Sequence, residues 1–332
     1  MKRKKTIVIL SVLSAVALAA VAAALYLLTL RTHNDQSVEL RIYPTDTCDK
    51  VMKQLRDKGV ITDGVFVTML AKYKSYDINV RSGRYVIEPR MRQTELVRKL
   101  ANGLQTPVPL VVGKVRTAEQ LAARIASQLM MNEKDLLAEM ERKEYYQNIF
   151  DHVLPNTYEV YWNVSPSGLL ERLEREADKW WQGRQQSLER CGLDRHQVVV
   201  LASIVEEETN KNDEKARIAG VYVNRLNKGM LLQADPTVKY AVGDFSLKRI
   251  RYKHLQTDSP YNTYMYKGLP PSAICLPTLA SIEAVLNYER HDYLFFCARE
   301  DFSGYHNFAR TPGEHYVNAG RYTAALNRLG IK

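Results

Sequence analysis

Cysteine is scarce in this 332-residue chain. Only Cys48, Cys191, Cys275 and Cys297 occur, far apart and without a CxxC pair. No His/Cys cluster has metal-ligand spacing, so neither a metal nor a cofactor is expected. Two readings stand side by side: pairing in an oxidising compartment, for which Cys275 and Cys297 in one segment are the foremost pair, and buried free thiols acting as small hydrophobes. Glycine (16) and proline (12) are too few for a collagen-like or linker-dominated protein. No glycine-rich loop follows a predicted strand, so no nucleotide phosphate site is indicated. Acidic residues are missing altogether from the first 32 positions, which hold five basic ones. That segment therefore supplies half of the net charge of +10. The excess on the remaining 300 residues is too small to suggest a nucleic-acid-binding face.

What is present begins with a membrane segment. Thr6 to Leu30 is 25 residues without a charge. As a helix it is roughly 37 Å long at ~1.5 Å per residue, against a hydrocarbon core of ~30 Å. Lys2, Arg3, Lys4 and Lys5 precede it. Positive charge stays in the cytoplasm, which places residues 1–5 inside, 6–30 across the membrane and the rest outside. The run is longer than a signal-peptide core, so an uncleaved anchor is favoured over a cleaved leader.

Strand and helix patterns then alternate. Val38 to Pro44 alternates like a strand, and Cys48 to Lys58 reads as an amphipathic helix stopped by Gly59. Gly83 to Pro89 and Thr94 to Asn102 repeat the pattern, the second helix closed by Gly103. Val108 to Val112 is a third strand. Thr117 to Leu129 is a third helix, with Thr117 and Gln120 as a capping box. From Asn132 to Glu189 the pattern is helical, broken at Leu154–Tyr158. A helix from Ser165-Pro166 carries a core stripe through Leu169, Leu170, Leu173 and Ala177 toward Trp180 and Trp181.

The chemistry concentrates in Gln197 to Thr209. On a helix, Leu201, Ile204, Val205 and Glu208 share one face, and Glu206 and Glu207 turn away. A carboxyl on an apolar stripe loses hydration, so its pKa rises; a glutamic acid protonated near neutral pH suits general-acid work. A solvated helix end, with Glu208 free or ion-paired, is the alternative. Asp235 precedes Pro236, which reads as a helix cap that can also edge a cleft. Ser259 to Tyr264 is a polar aromatic loop. Its tyrosines offer flat faces for sugar rings, and Asn262 and Thr263 offer amide and hydroxyl partners.

Taken in order, SIVEEET, VYVNRL, LLQADPTVKYAVG, YNTY and GLPP resemble the MltG (YceG-like) family of endolytic murein transglycosylases. The anchor, GRYVIEP with ELVRKLANG, LPNTYEVY, the HNF segment at His306 and Glu314-His315 extend the likeness over nearly the whole chain. Two positions depart from the family's habit: Val112 stands where Glu often precedes glycine, and Glu207 where lysine is common.

The resemblance implies an α+β protein: the single N-terminal membrane helix, a small LysM-like strand–helix domain over 38–110, and a larger mixed catalytic domain over 111–332. It implies cleavage of the MurNAc–GlcNAc bond of nascent peptidoglycan strands outside the inner membrane, leaving 1,6-anhydro-MurNAc ends. Glu208 matches the family's catalytic glutamate, although three consecutive acids leave Glu206 open. Gln233, Asp235, Asn262, Thr263 and Tyr264 are the implied glycan-positioning residues. Peptidoglycan is the implied partner, with cell-wall synthesis proteins as further candidates. The competing readings are a hydrolase with Asp235 as second carboxylate, and a non-enzymatic wall-binding scaffold.

Overall fold

A computed structural model describes residues 2–62, 64–247 and 249–330. The fold is mixed α+β, mostly helical, and its described strands form three two-stranded sheets. The chain divides into two compact units, residues 1–109 with 159–164, and residues 110–158 with 165–332.

The first unit opens with α1 (Lys2–Thr29). Its Ile9–Thr29 portion is long and apolar enough to cross a membrane, and none of it is buried. Next come β1 (Val38–Ile42), α2 (Cys48–Asp57), α3 (Val65–Tyr73), β2 (Gly83–Ile87) and α4 (Gln93–Ala101). β1 and β2 pair antiparallel, from Val38 opposite Ile87 to Ile42 opposite Gly83. Alternation decides which side faces in: Leu40, Ile42, Tyr85 and Ile87 are fully buried. They meet Val51 and Leu55 of α2 and Leu96 and Leu100 of α4 in one core. Truncating any of these leucines to alanine typically costs about 2–5 kcal/mol. Thr47 caps α2 by accepting a bond from the Lys50 amide at 3.3 Å. A six-residue return, Glu159–Val164, completes this unit, with Trp162 edge-on to Tyr43 at 5.0 Å. The helix α3 is not apparent in the sequence pattern. Its N-cap, Gly64, is left-handed and makes no side-chain cap bond.

The remaining elements are β3 (Val108–Val112), α5 (Ala118–Ala126), α6 (Glu133–Arg142), α7 (Ile149–His152), β4 (Asn156–Val160), α8 (Pro166–Gln182), α9 (Gln185–Cys191), α10 (Arg195–Glu208), α11 (Asn212–Asn227), α12 (Asp235–Val242), α13 (Tyr252–Leu255), α14 (Leu279–Leu286), β5 (Phe295–Ala298), β6 (His306–Ala309) and α15 (Pro312–Arg328). The break expected at Leu154–Tyr158 is the strand β4. The α5 cap is half of what its sequence suggests. Thr117 accepts from the Gln120 amide at 3.2 Å, but the Gln120 carboxamide accepts from the Arg116 amide instead of returning to Thr117. The stripe of α8 is core at Leu169, Leu170, Leu173, Ala177 and Trp181, which are buried, whereas Trp180 is only half-buried.

Of the two readings of the cysteines, free thiols hold, and Cys275 and Cys297 do not pair. All four cysteines are free, and the Cys275 thiol, wholly buried, donates to the Ser203 carbonyl at 3.5 Å. Burial raises its pKa and keeps it a neutral thiol. β5 and β6 form a hairpin, Phe295 opposite Ala309 and Ala298 opposite His306, and α15 packs against it.

Candidate active site

Helix α10 starts from a full capping box: Asp194 accepts from the Gln197 amide at 2.8 Å and Gln197 returns to the Asp194 amide at 3.1 Å. Every residue from Val198 to Val205 is buried, because α7, α11, α12 and α14 surround the helix. This corrects the expectation of one apolar stripe with Glu206 and Glu207 turned away. The helix is apolar all round, and the three glutamates of its last turn differ in their partners.

Glu206 is buried and fully committed. Its Oε2 accepts from the Lys215 ammonium at 3.0 Å, the Thr278 hydroxyl at 2.6 Å and the Ser281 hydroxyl at 2.5 Å. Burial pushes its pKa up, but the bonds from Ser281, Thr278 and Lys215 outweigh it and hold it below 4.5. Glu207 is treated alike. Burial is opposed by Lys114 at 2.7 Å and Arg116 at 2.8 Å, and the pKa is again lowered. Among the described residues, Glu208 meets no cation. Its Oε1 accepts from the Tyr222 hydroxyl at 2.5 Å. Burial pushes its pKa to about 7; the Tyr222 bond opposes this, while the charges of Asp235 and Glu207 reinforce it.

Glu208 and Tyr222 stand in the wall of an open cleft of about 520 Å³. Its far side is built from β5, with Phe295 and Phe296, and from the start of α15, with His315 and Tyr316. Its rim carries Gln233, Asp235 and Tyr264. The two adjoining tyrosines are held as neutral donors. Burial and nearby carboxylates raise the Tyr222 and Tyr264 hydroxyls well above their usual range.

The five implied glycan contacts divide. Gln233 is exposed in the rim, in a left-handed backbone conformation at φ 54°. Its amide donates to the Thr263 carbonyl at 3.1 Å, and its side-chain oxygen accepts from Arg225 at 3.2 Å. Asp235 does not cap α12. Ala234 is the N-cap residue, no side-chain cap bond forms, and Asp235 opens the helix ahead of Pro236. Its carboxylate is instead exposed in the cleft, accepting from the Tyr264 hydroxyl at 2.7 Å. Asn262 and Thr263 lie outside the cleft lining. Asn262 is wholly buried and donates to the Leu255 and Thr257 carbonyls at 2.9 and 2.8 Å. Thr263 accepts from the Ala234 amide at 3.0 Å and bonds the Thr237 hydroxyl at 2.8 Å. Both hold the loop that presents Tyr264 beside Asp235.

Sequence reasoning passed over two groups. Arg225 is buried; its side chain donates to the carbonyls of Leu294 at 2.6 Å and Leu232 at 2.8 Å, tying the cleft's far wall to α11. Burial lowers its pKa. Glu214 is also buried and bonds His306, which lines the cleft. The available signal was on α11, where Glu214, Ile218, Val221, Tyr222 and Arg225 share one helical stripe. Gly220 lies on the same helix under a different constraint: a Cβ there would stand 2.3 Å from the Glu289 carbonyl oxygen. Among the described residues, no group of three or more His, Cys, Asp or Glu side chains could hold a metal ion.

This site lies within residues 40–321, which match the profile of the YceG-like family. The chain is 26% identical over 314 residues to an endolytic murein transglycosylase of Bacillus subtilis, covering 88% of this chain and 86% of that protein. It is 26% identical over 310 residues to an endolytic murein transglycosylase of Streptococcus pneumoniae, covering 82% of this chain and 56% of that protein. A crystal structure of a yceG-like protein from Listeria monocytogenes superposes with a TM-score of 0.56 at 30% identity, covering 86% of this chain and 99% of that one. The matched span is most of the chain and includes every residue of the cleft, and the protein belongs to the YceG-like family.

Proposed function

We propose that the protein is a membrane-anchored lytic transglycosylase that cuts peptidoglycan glycan strands, with Glu208 as both general acid and general base. The observation that carries this reading is a carboxyl group with no cationic partner among the described residues, its pKa near 7, in the wall of an open cleft. Such a group holds its proton at neutral pH yet can release it, which serves two opposite transfers in one turnover. The endolytic murein transglycosylases to which the chain is similar supply the substrate class.

In this mechanism Glu208 donates its proton to the oxygen between MurNAc and GlcNAc. The C1–O bond breaks as positive charge develops on the MurNAc ring, assisted by its own acetamido group. The Glu208 carboxylate then takes the proton of the MurNAc 6-hydroxyl, whose oxygen bonds C1. The product ends in 1,6-anhydro-MurNAc, no water is consumed and Glu208 is protonated again. Tyr222 keeps one carboxyl oxygen fixed by donating to it, so the other is free for the substrate. Gln233, Asp235 and Tyr264 position the glycan at the rim, while Asn262 and Thr263 act through the loop they brace.

By the same reading α1 is an uncleaved anchor with the amino terminus in the cytoplasm and the catalytic unit outside the inner membrane. The strand–helix unit that follows is a LysM-like wall-binding element. The anchor keeps the cleft near newly made strands, beside the proteins that synthesise them.

A hydrolase reading rests on one feature, the exposed Asp235 carboxylate in the same cleft, which could activate a water as the second of two carboxyl groups. Digestion of purified glycan strands followed by mass spectrometry separates the readings. Anhydro ends are expected from the wild type, and Glu208→Gln should be slower by about 10²–10⁴-fold. Products one water heavier would make it a hydrolase, and undigested strands from the wild type would leave a binding protein.

A further inference from the structure

Glu214 is a buried carboxylate that the mechanism above does not use. Its side chain is only 4% exposed, and both of its oxygens are spent on one residue. Oε1 accepts from the His306 backbone amide at 3.0 Å, and Oε2 lies 3.0 Å from His306 Nδ1. A carboxylate at Nδ1 places a proton there, which in the neutral imidazole leaves Nε2 as the acceptor. The ring is held in orientation as well as in tautomer. It meets Phe296 edge-on at 5.3 Å, and Phe296 in turn meets Tyr222 edge-on at 5.8 Å. Tyr222 is the residue that bonds Glu208. His306 therefore stands two aromatic rings, Phe296 and Tyr222, away from the proposed acid, in the lining of the same cleft. Nε2 has no hydrogen-bond partner among the described residues, although the ring is mostly covered. Burying a charged residue only to aim an imidazole nitrogen at solvent would be a poor trade for stability.

We infer that His306 is a substrate-binding residue of the cleft, its Nε2 accepting a hydrogen bond from a hydroxyl of the saccharide, and that Glu214 is the positioning residue that fixes it. The inference rests on the transglycosylase reading. An acceptor-only nitrogen selects a donor, and hydroxyls are the donors a glycan offers most.

The test uses the full chain in detergent. In Glu208→Gln, with histidine side chains labelled with ¹⁵N, purified glycan strands are added and the imidazole nitrogens followed. The His306 signals are assigned by their loss in His306→Phe, or in His306→Gln if the first does not fold. The free protein should show Nδ1 protonated and Nε2 bare, and glycan should shift the Nε2 signal. In the Glu208 background of the wild type, His306→Phe keeps the ring and loses the acceptor. Its kcat/KM should fall about 5–30-fold, the loss of one such bond. Glu214→Gln should fall by a similar factor, and the pair of changes together by no more. An Nε2 signal unmoved while other signals report binding would overturn the inference, as would wild-type kcat/KM in His306→Phe. If Glu208→Gln lacks turnover and His306→Phe is normal, this inference alone fails. If Glu208→Gln keeps full turnover, the reading beneath it fails.

Discussion

The two ends of one helical turn show how the same side chain is put to different uses. Around Glu206 the protein supplies an ammonium and two hydroxyls, all on a single oxygen. Around Glu208, two residues on, it supplies one phenol and, among the described residues, no cation. Both carboxyl groups are taken out of water, so burial pushes both pKa values up. The donors reverse that push at Glu206 and fail to at Glu208. Desolvation is common to both places; the missing counter-charge is what makes an acid. Glu206 is held as an ion, and Glu208, two residues on, is the proposed proton donor.

The comparison can be broken most forcefully through activity. Glu208→Gln should lower turnover by about 10²–10⁴-fold, whereas removing Glu206 should leave each folded molecule active. A stability measurement reverses the order. Glu206→Ala leaves the Lys215 ammonium buried and unpaired, which should cost about 3–5 kcal/mol in denaturant unfolding of the full chain. A loss under about 1 kcal/mol would mean that Lys215 finds another partner or water.

A smaller effect sharpens the contrast through pH. Glu208 titrates near 7 when folded and near 4.5 when unfolded. Between those values the folded chain holds a proton that the unfolded chain has released. The contribution of Glu208 to stability therefore falls as pH rises through this window, by about 3 kcal/mol in all. Glu208→Gln lacks the penalty. Relative to the wild type it should gain about 3 kcal/mol between pH 4 and pH 8, and a gain independent of pH would contradict the assignment.

Local structure was legible wherever one residue type repeats at a fixed interval. Leu40 and Ile42 alternate with Glu39 and Arg41, and β1 follows. Leu169, Leu173 and Ala177 recur at helical spacing, and α8 follows. Thr117 was legible as a cap, because a hydroxyl ahead of a helix has few better bonds to make. The helix α3 was not, since Gly64 gives no capping hydroxyl to mark its start. Nor was β4, which begins Asn-Thr and has two exposed residues before its first buried one.

At the site, the stripe singled out Glu208 on a hydrophobic helix, but it could not show how Glu206 and Glu207 are neutralised. The answer lies in Lys114, Arg116, Lys215, Thr278 and Ser281, brought from distant parts of the chain to Glu206 and Glu207. Asp235 read as a cap because Asp-Pro commonly starts a helix. Its carboxylate bonds Tyr264 from 29 residues away, which no local pattern encodes. Asn262 and Thr263 had the chemistry of sugar ligands, but burial turned that chemistry inward.

The state of the Glu208 carboxyl is measured most directly by ¹³C NMR of the full chain labelled at glutamate side-chain carboxyls, with Glu208→Gln identifying the signal. A midpoint close to pH 7 is expected. A midpoint at or below the ordinary 4.5 would mean that Glu208 is ionised at neutral pH like Glu206, and the proton donor would have to be sought elsewhere in the cleft.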